Sequence, residues 1–254
     1  MSHWTLITGA SSGIGLELAK LFAADRSNLV LVARDESRLN QLAAELRARH
    51  DIQVKMVVKD LASATAAREI FDALPDTPVS VLVNNAGFGL YGPFAETDLS
   101  AQTGMTLVNM TALVQLTYLF LGPMLARGRG RILNVASTAA FQPGPNASVY
   151  YASKAFVYSF SRALARELEN TGVTVTVLCP GTTRTEFFSR AGMHPAGVWP
   201  MMDARTVAEI GYRGCLRGKR VVIPGLLNRI GSFLAKLAPT RLTTAIVLRI
   251  HARR

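Results

Sequence analysis

Thr8-Gly9-Ala10-Ser11-Ser12-Gly13-Ile14-Gly15 joins a short apolar run, 5–8, to an amphipathic stretch, 13–24. Read as strand, turn and helix start, this segment sets the pattern for the rest of the chain. Glycines let the backbone turn sharply and come close to a diphosphate, and the helix N-terminus offers unpaired N–H groups and a positive dipole end. Any tight strand-to-helix turn would also use glycine. The loop's place after the first strand tips the reading towards a dinucleotide.

The alternation begun there continues. Candidate strands fall at 5–8, 29–33, 53–58, 80–83, 131–135, 173–178 and 220–223. Their cores are continuously aliphatic, as strands covered on both faces require. Helical stretches at 13–24, 36–49, 64–74, 99–126 and 149–170 lie between them. Gly128-Arg129-Gly130 and Asn170-Thr171-Gly172 carry helix-stop chemistry. Strands alternating with helices predict an α/β fold with a parallel sheet between helical layers. No repeat or linker divides the chain, so one domain over 1–254 is expected.

The second strand ends Val30-Leu31-Val32-Ala33-Arg34, with Arg38 a helical turn later. An NAD-selective site usually has an acid at that strand end. Arginine instead suits a ribose phosphate through its charge and planar donor fork, so NADPH is expected over NADH. Asp35 and Glu36 are close enough in sequence to pair with either arginine. Asp60 could accept from an adenine amino group or cap a helix beginning near Ser63. Asn84-Asn85-Ala86-Gly87 puts small residues where the backbone must pass something flat, or simply turn.

Tyr150 and Lys154 share a helix face at i,i+4, and Ser137 precedes the tyrosine. A cation beside a phenol favours the phenolate and is expected to draw its pKa down from about 10. The trio reads as a proton-transfer device. Adjacent Tyr151 lacks that spacing to Lys154.

Together these motifs resemble the classical short-chain dehydrogenase/reductase family over about residues 4–225, and within it an NADP-preferring branch of carbonyl and long-chain ketone reductases. The resemblance implies a three-layer, doubly wound Rossmann fold with a seven-stranded parallel sheet. It implies hydride transfer between NADP(H) and a carbonyl or secondary alcohol. Tyr150 would be the general acid or base, Lys154 its tuner and ribose holder, and Ser137 the donor to the carbonyl oxygen. Asn109 would hold a proton-relay water, with Asn134 competing as the structural asparagine. Gly9, Ser11, Ser12, Gly13 and Ile14 would line the diphosphate. Asp60, Leu61, Asn84, Ala86 and Gly87 would face the adenosine and adjoining ribose, and Pro180, Gly181, Thr183 and Thr185 the nicotinamide. A substrate lid is implied at 182–202, where Phe187, Phe188, Met193, Val198, Trp199 and Met201 would form an apolar wall. His194 reads as a loop histidine.

Composition narrows the function further. Of the 254 residues, 49% are apolar and 18% charged, a globular balance. Cys179 and Cys215 read as buried thiols in a reducing cytosol, and four scattered histidines give no metal-ligand spacing. The first residues carry no signal-peptide pattern, and no uninterrupted apolar run suggests a spanning helix; a cytoplasmic enzyme is the expectation. The net charge of +11 is local: through Glu209 there are 18 basic residues against 17 acidic, then ten basic residues and no acidic one. Nucleic-acid binding is not expected, since no reader motif accompanies that charge. The extension at 226–254 reads as a pair of basic amphipathic helices broken by Pro239. Packing on the enzyme's own body or across a homodimer is the expected use, with peripheral contact at an anionic membrane the alternative. A non-catalytic dinucleotide sensor or scaffold is the competing function.

Overall fold

Residues 3–192 and 201–252 are described by the computed structural model. The aliphatic runs form β1 (Trp4–Thr8), β2 (Asn28–Ala33), β3 (Val54–Val58), β4 (Val79–Asn84), β5 (Gly130–Val135) and β6 (Val173–Leu178), then the short β7 (Thr183–Arg184), β8 (Met202–Asp203) and β9 (Val221–Val222). Seven of them make one parallel sheet in the order β3-β2-β1-β4-β5-β6-β9, while β7 and β8 pair separately. Leu6 in β1 sits between Val30 of β2 and Leu82 of β4, which sets the register at the centre. Chain direction across the sheet reverses between β1 and β4. The loops leaving those two strands therefore diverge and open a crevice at their carboxyl ends.

The helices are α1 (Gly13–Ala24), α2 (Glu36–Arg49), α3 (Ala66–Asp72), α4 (Leu99–Thr106), α5 (Ala112–Ala126), α6 (Ser148–Glu167), α7 (Phe187–Arg190), α8 (Ala204–Leu216), α9 (Leu226–Leu237) and α10 (Thr240–Ala252). Leu18 and Phe22 of α1, Leu39 and Leu42 of α2 and Val207 of α8 bury one sheet face. Ile70 of α3, Leu116 and Phe120 of α5 and Leu164 of α6 bury the other. Full burial of each such side chain contributes on the order of 2 kcal/mol. The result is the expected three-layer sandwich.

Several boundaries carry their cause in the sequence. Asp35 caps α2 by accepting from the Arg38 amide at 2.9 Å, so the helix begins at Glu36 as read. Gly128, Asn170 and Gly172 all adopt positive φ, the expected stop geometry. The third helix is shorter than the 64–74 read from sequence. Asp60 bonds the Ala62 amide at 3.0 Å, making a turn of its own, and the helix starts at Ala66 after Thr65. The capping role weighed for Asp60 is therefore a turn cap. Helix α6 stops at Glu167 rather than 170, and α8, capped by Asp203, was not among the segments read. The stretch Leu99–Ala126 is long and apolar enough to cross a membrane by length and composition. Leu116, Phe120 and Met124 on it are nevertheless buried against the sheet, as in a core helix. Between α4 and α5 it contains one π turn, Leu107–Thr111, whose Asn109 is buried. Such a turn re-aims the side chains it carries.

Candidate active site

A cleft of about 720 Å³ runs along the carboxyl ends of β1, β2, β4, β5 and β6. At its floor lies the glycine loop. Gly9 has φ +64° and Gly13 φ +56°, conformations that side chains resist. A Cβ on Gly15 would drive into the Gly9 carbonyl and the Asn85 amide, so loop and helix are locked together only with glycine there. Ser12, the residue before α1, makes no capping bond with its side chain. The first-turn amides of α1 are thus open to an anion in the cleft. Thr8 ties this loop to the next: its Oγ1 accepts from the Asn85 and Ala86 amides, both at 3.0 Å. Gly15→Ala is expected to lower Tm by about 3–10 °C and weaken dinucleotide binding roughly tenfold, read by thermal unfolding and cofactor titration.

Most of the predicted residues line this cleft: Ser11, Ser12, Ile14, Asp60, Leu61, Ala86 and Gly87 towards one end, Pro180, Gly181, Thr183 and Thr185 towards the other. Three do not. Asn84, the last residue of β4, turns into the layer below. There its Nδ2 donates to Thr117 Oγ1 (3.1 Å) and to Asn134 Oδ1 (2.9 Å). Strand alternation gives the cleft to Asn85 instead, whose Nδ2 donates to the Thr8 carbonyl at 2.9 Å. Asn109 stands one layer behind the cleft. Its Oδ1 accepts from the Phe88 amide (3.1 Å), and its Nδ2 donates to the Phe88 carbonyl and Ser153 Oγ, both 3.0 Å. It clamps the 84–89 loop. Asn134, fully buried among Asn84 and Ser161, is the more structural of the two asparagines that competed in sequence.

The third residue outside the lining is Arg38. Its guanidinium grips Glu186 through two bonds, 3.0 and 2.9 Å, and lies 3.3 Å from Asp35. The hydrogen bond with Glu186 is the main cause holding its pKa above the ordinary arginine value. Arg34 does line the cleft, with its Nη1 3.7 Å from Asp60 and its side chain 69% exposed. Of the two arginines, only Arg34 lines the cleft.

At the opposite end Ser137, Tyr150 and Lys154 converge. Ser137 follows β5, accepts from the Ala139 amide at 3.1 Å and is hydrogen-bonded to Tyr150. Lys154, 5% exposed, donates to the Val135 carbonyl at 3.0 Å, with its Nζ 5.8 Å from the Tyr150 ring centre. Its Nζ and Asn109 Oδ1 are also the atoms a Cβ on Gly87 would meet. Tyr151 packs its ring across Gly144, edge-on to Tyr150 at 6.0 Å, and lines the outer cleft. The lowering of the phenol's pKa expected from Lys154 does not occur. Burial pushes Tyr150 up to about 12, opposed by the Ser137 bond, and burial pulls Lys154 down to about 8. Loss of water sets the shift of the phenol, while the ammonium is held on a backbone carbonyl rather than on the phenol oxygen.

Phe187 stacks obliquely on Tyr150 at 5.3 Å and, with Phe188 and Met201, forms the apolar wall read from sequence. Met193, His194, Val198 and Trp199 of that reading lie outside the described residues. Asn228 of α9 was not foreseen: it fills the space beside Gly181 and donates to the Pro224 carbonyl at 2.7 Å. No motif announced it, because its contact is set by how the tail packs. Cys179 and Cys215 are buried free thiols with no part in the cleft, and no metal-binding cluster occurs among the described residues.

Residues 3–195 match the family model described as short chain dehydrogenase. Sulfoacetaldehyde reductase 2 of Chromohalobacter salexigens is 40% identical over 191 residues, covering 74% of this chain and 75% of that one. The mouse 17-beta-hydroxysteroid dehydrogenase type 3 is 34% identical over 238 residues, covering 91% and 77%. Among solved structures, a short-chain dehydrogenase from Sphingobium yanoikuyae in complex with NADPH superposes with TM-score 0.85 at 34% identity, covering 92% of each chain. With the sheet order, the glycine loop and the Ser137–Tyr150–Lys154 cluster in agreement, the chain belongs to the short-chain dehydrogenase family of oxidoreductases.

Proposed function

We propose that the chain is an NADP(H)-dependent reductase of apolar carbonyl compounds, acting reversibly on the matching secondary alcohols. The observation that carries this reading is the cleft itself: an anion-ready glycine loop and Arg34 at one end, Tyr150 with Ser137 and Lys154 at the other. The cleft suits a dinucleotide because positive-φ Gly9 and Gly13 leave its floor free of side chains. When bound, the nicotinamide supplies hydride to the carbonyl carbon. Ser137 donates a hydrogen bond to the carbonyl oxygen and orients it beside the Tyr150 hydroxyl. Tyr150 gives that oxygen its proton. Lys154 supplies positive charge behind the phenol as the proton leaves, and holds the nicotinamide ribose. Phe187, Phe188 and Met201 exclude water and favour apolar groups on the substrate.

The NADP preference rests on Arg34, with Arg38 behind it, and is supported by the NADPH-bound relative. Arg34→Ala is expected to raise KM for NADPH about tenfold and leave KM for NADH within about twofold, as one charge-assisted bond lost at an exposed site. Equal use of both cofactors by the unaltered enzyme would overturn the preference. A dinucleotide sensor without turnover would have no use for a buried ammonium beside a hydroxyl-bonded tyrosine. NADPH oxidation across a panel of aldehydes, ketones, steroids and acyl chains tests the activity, and no turnover with any member would favour that sensor.

The same reading takes residues 1–254 as one dinucleotide-binding domain, working in the cytoplasm as a homodimer. Tyr118 on α5 (79% exposed) and Phe156 on α6 (40%) support an assembly surface, which sedimentation velocity would test. Peripheral membrane contact through 226–254 completes it.

A further inference from the structure

Helix α9 is mounted with the opposite polarity to the packing expected of an amphipathic tail. Its small and polar side faces the enzyme. Ser232 is buried, Ala235 packs beside Phe141 and Val157, and Asn228 sits against Gly181. Lys236 is drawn to the same side: its ammonium donates to Tyr158 Oη at 3.0 Å and stands 4.7 Å from the Phe141 ring centre. This leaves Leu226, Leu227, Ile230, Phe233, Leu234 and Leu237 on the outer side, each between 47% and 69% exposed. Their spacing puts them on one continuous face. Helix α10 adds exposed Leu242, Ile246 and Leu248.

An apolar face of this extent needs a covering partner. Charge decides which. Arg229, Arg241 and Arg249 are exposed on these two helices, and no aspartate or glutamate occurs anywhere from 210 to 254. Two copies apposed through this face would bring like charges together, with no carboxylate in the stretch to offset them. An apolar face rimmed by cations matches instead a helix lying in the headgroup boundary of an acidic bilayer.

We propose that α9 and α10 form an interfacial anchor whose outward apolar face enters a bilayer bearing anionic headgroups, while Lys236 and Asn228 hold the inner face on the catalytic body. This rests on the peripheral contact at an anionic membrane read for 226–254, and adds which face makes it and which residues mount the helix on the body.

Cosedimentation of the full chain with phosphatidylcholine vesicles containing about 30% phosphatidylglycerol, and with phosphatidylcholine alone, tests it. Binding to the acidic vesicles should be at least about tenfold tighter. It should weaken by about fivefold for each of Arg241→Glu and Arg249→Glu, and fall away between about 0.05 and about 0.5 M salt. The Ile230→Ser, Phe233→Ser double variant should lose vesicle binding while keeping its NADPH-dependent turnover and its Tm, which shows that the fold survives. Equal binding to both vesicle types would keep the membrane contact and overturn the anionic requirement. Binding to neither would overturn both. Loss of a dimer in the double variant, with no vesicle binding by the parent protein, would assign this face to a second copy instead and overturn the anchor.

Discussion

Tyr150→Phe is expected to lower carbonyl reduction by about a thousandfold while changing the NADPH dissociation constant by less than about threefold. The change removes one oxygen and keeps the ring. The ring's contacts with Phe187 and Tyr151 are made by carbon atoms and survive. What disappears is the hydroxyl bonded to Ser137 and the proton it carries. Burial holds that hydroxyl up to about 12, so across neutral pH the tyrosine is fully protonated and ready as a donor. The reverse reaction needs the phenolate, whose share below that value rises about tenfold per pH unit. Alcohol oxidation should therefore climb with pH where reduction does not, and the variant should lose both. Stopped-flow loss of NADPH absorbance together with fluorescence titration of cofactor separates chemistry from binding. Turnover within about tenfold of the parent would mean that another group supplies the proton, and Tyr151, half-buried next to it, would be the first to examine.

How much of this was legible beforehand depends on how local each cause is. The strands, α1, α2 and the glycine loop could be read because aliphatic runs, an Asp35 cap and obligatory glycines act within a few residues. Tyr150 was separated from Tyr151 by its i,i+4 spacing to Lys154 together with the family motif; in the structure Tyr150 is bonded to Ser137 with Lys154 Nζ 5.8 Å from its ring centre, while Tyr151 closes over Gly144. Asn84 failed for an equally local reason, since a residue at a strand end points to one side or the other and only the register decides which. Arg38 and Asn228 were beyond sequence reading. Their partners, Glu186 and Gly181, are distant along the chain, and the contacts depend on how the lid segment and the tail settle on the body. The sign of the Tyr150 shift was missed because spacing brings a cation near but does not report how dry the site is. The polarity of α9 was missed because periodicity defines two faces without saying which one docks.

Lys154→Met is expected to separate activity from stability in opposite directions. Burial brings the lysine down to about 8 from an ordinary 10.5, so the folded protein keeps an ammonium at neutral pH against its environment. Holding that charge costs on the order of 3 kcal/mol net of the bond to the Val135 carbonyl. Methionine fills a similar volume with no charge to bury. At pH 7 the variant should unfold a few degrees higher than the parent. The sign of the pH dependence follows from linkage. Between about 8 and 10.5 the unfolded lysine holds a proton that the folded one has released, so the parent gains stability with rising pH there and the difference from the variant closes. Below about 8 both states of the parent are protonated, and the difference should stay constant. Activity should move the other way. Without the ammonium behind Tyr150, reduction should fall about a hundredfold, and the decline that the parent shows above about pH 8, as Lys154 loses its proton, should be absent from the variant's kcat/KM profile. Thermal melts at several pH values and the two rate profiles read these outcomes independently. A variant that is less stable at pH 7 would show that the Val135 bond outweighs charge burial. A parent profile flat through pH 10 would show that the buried lysine keeps its proton when the dinucleotide is bound, placing the site's electrostatic control in the cofactor complex rather than in the protein alone.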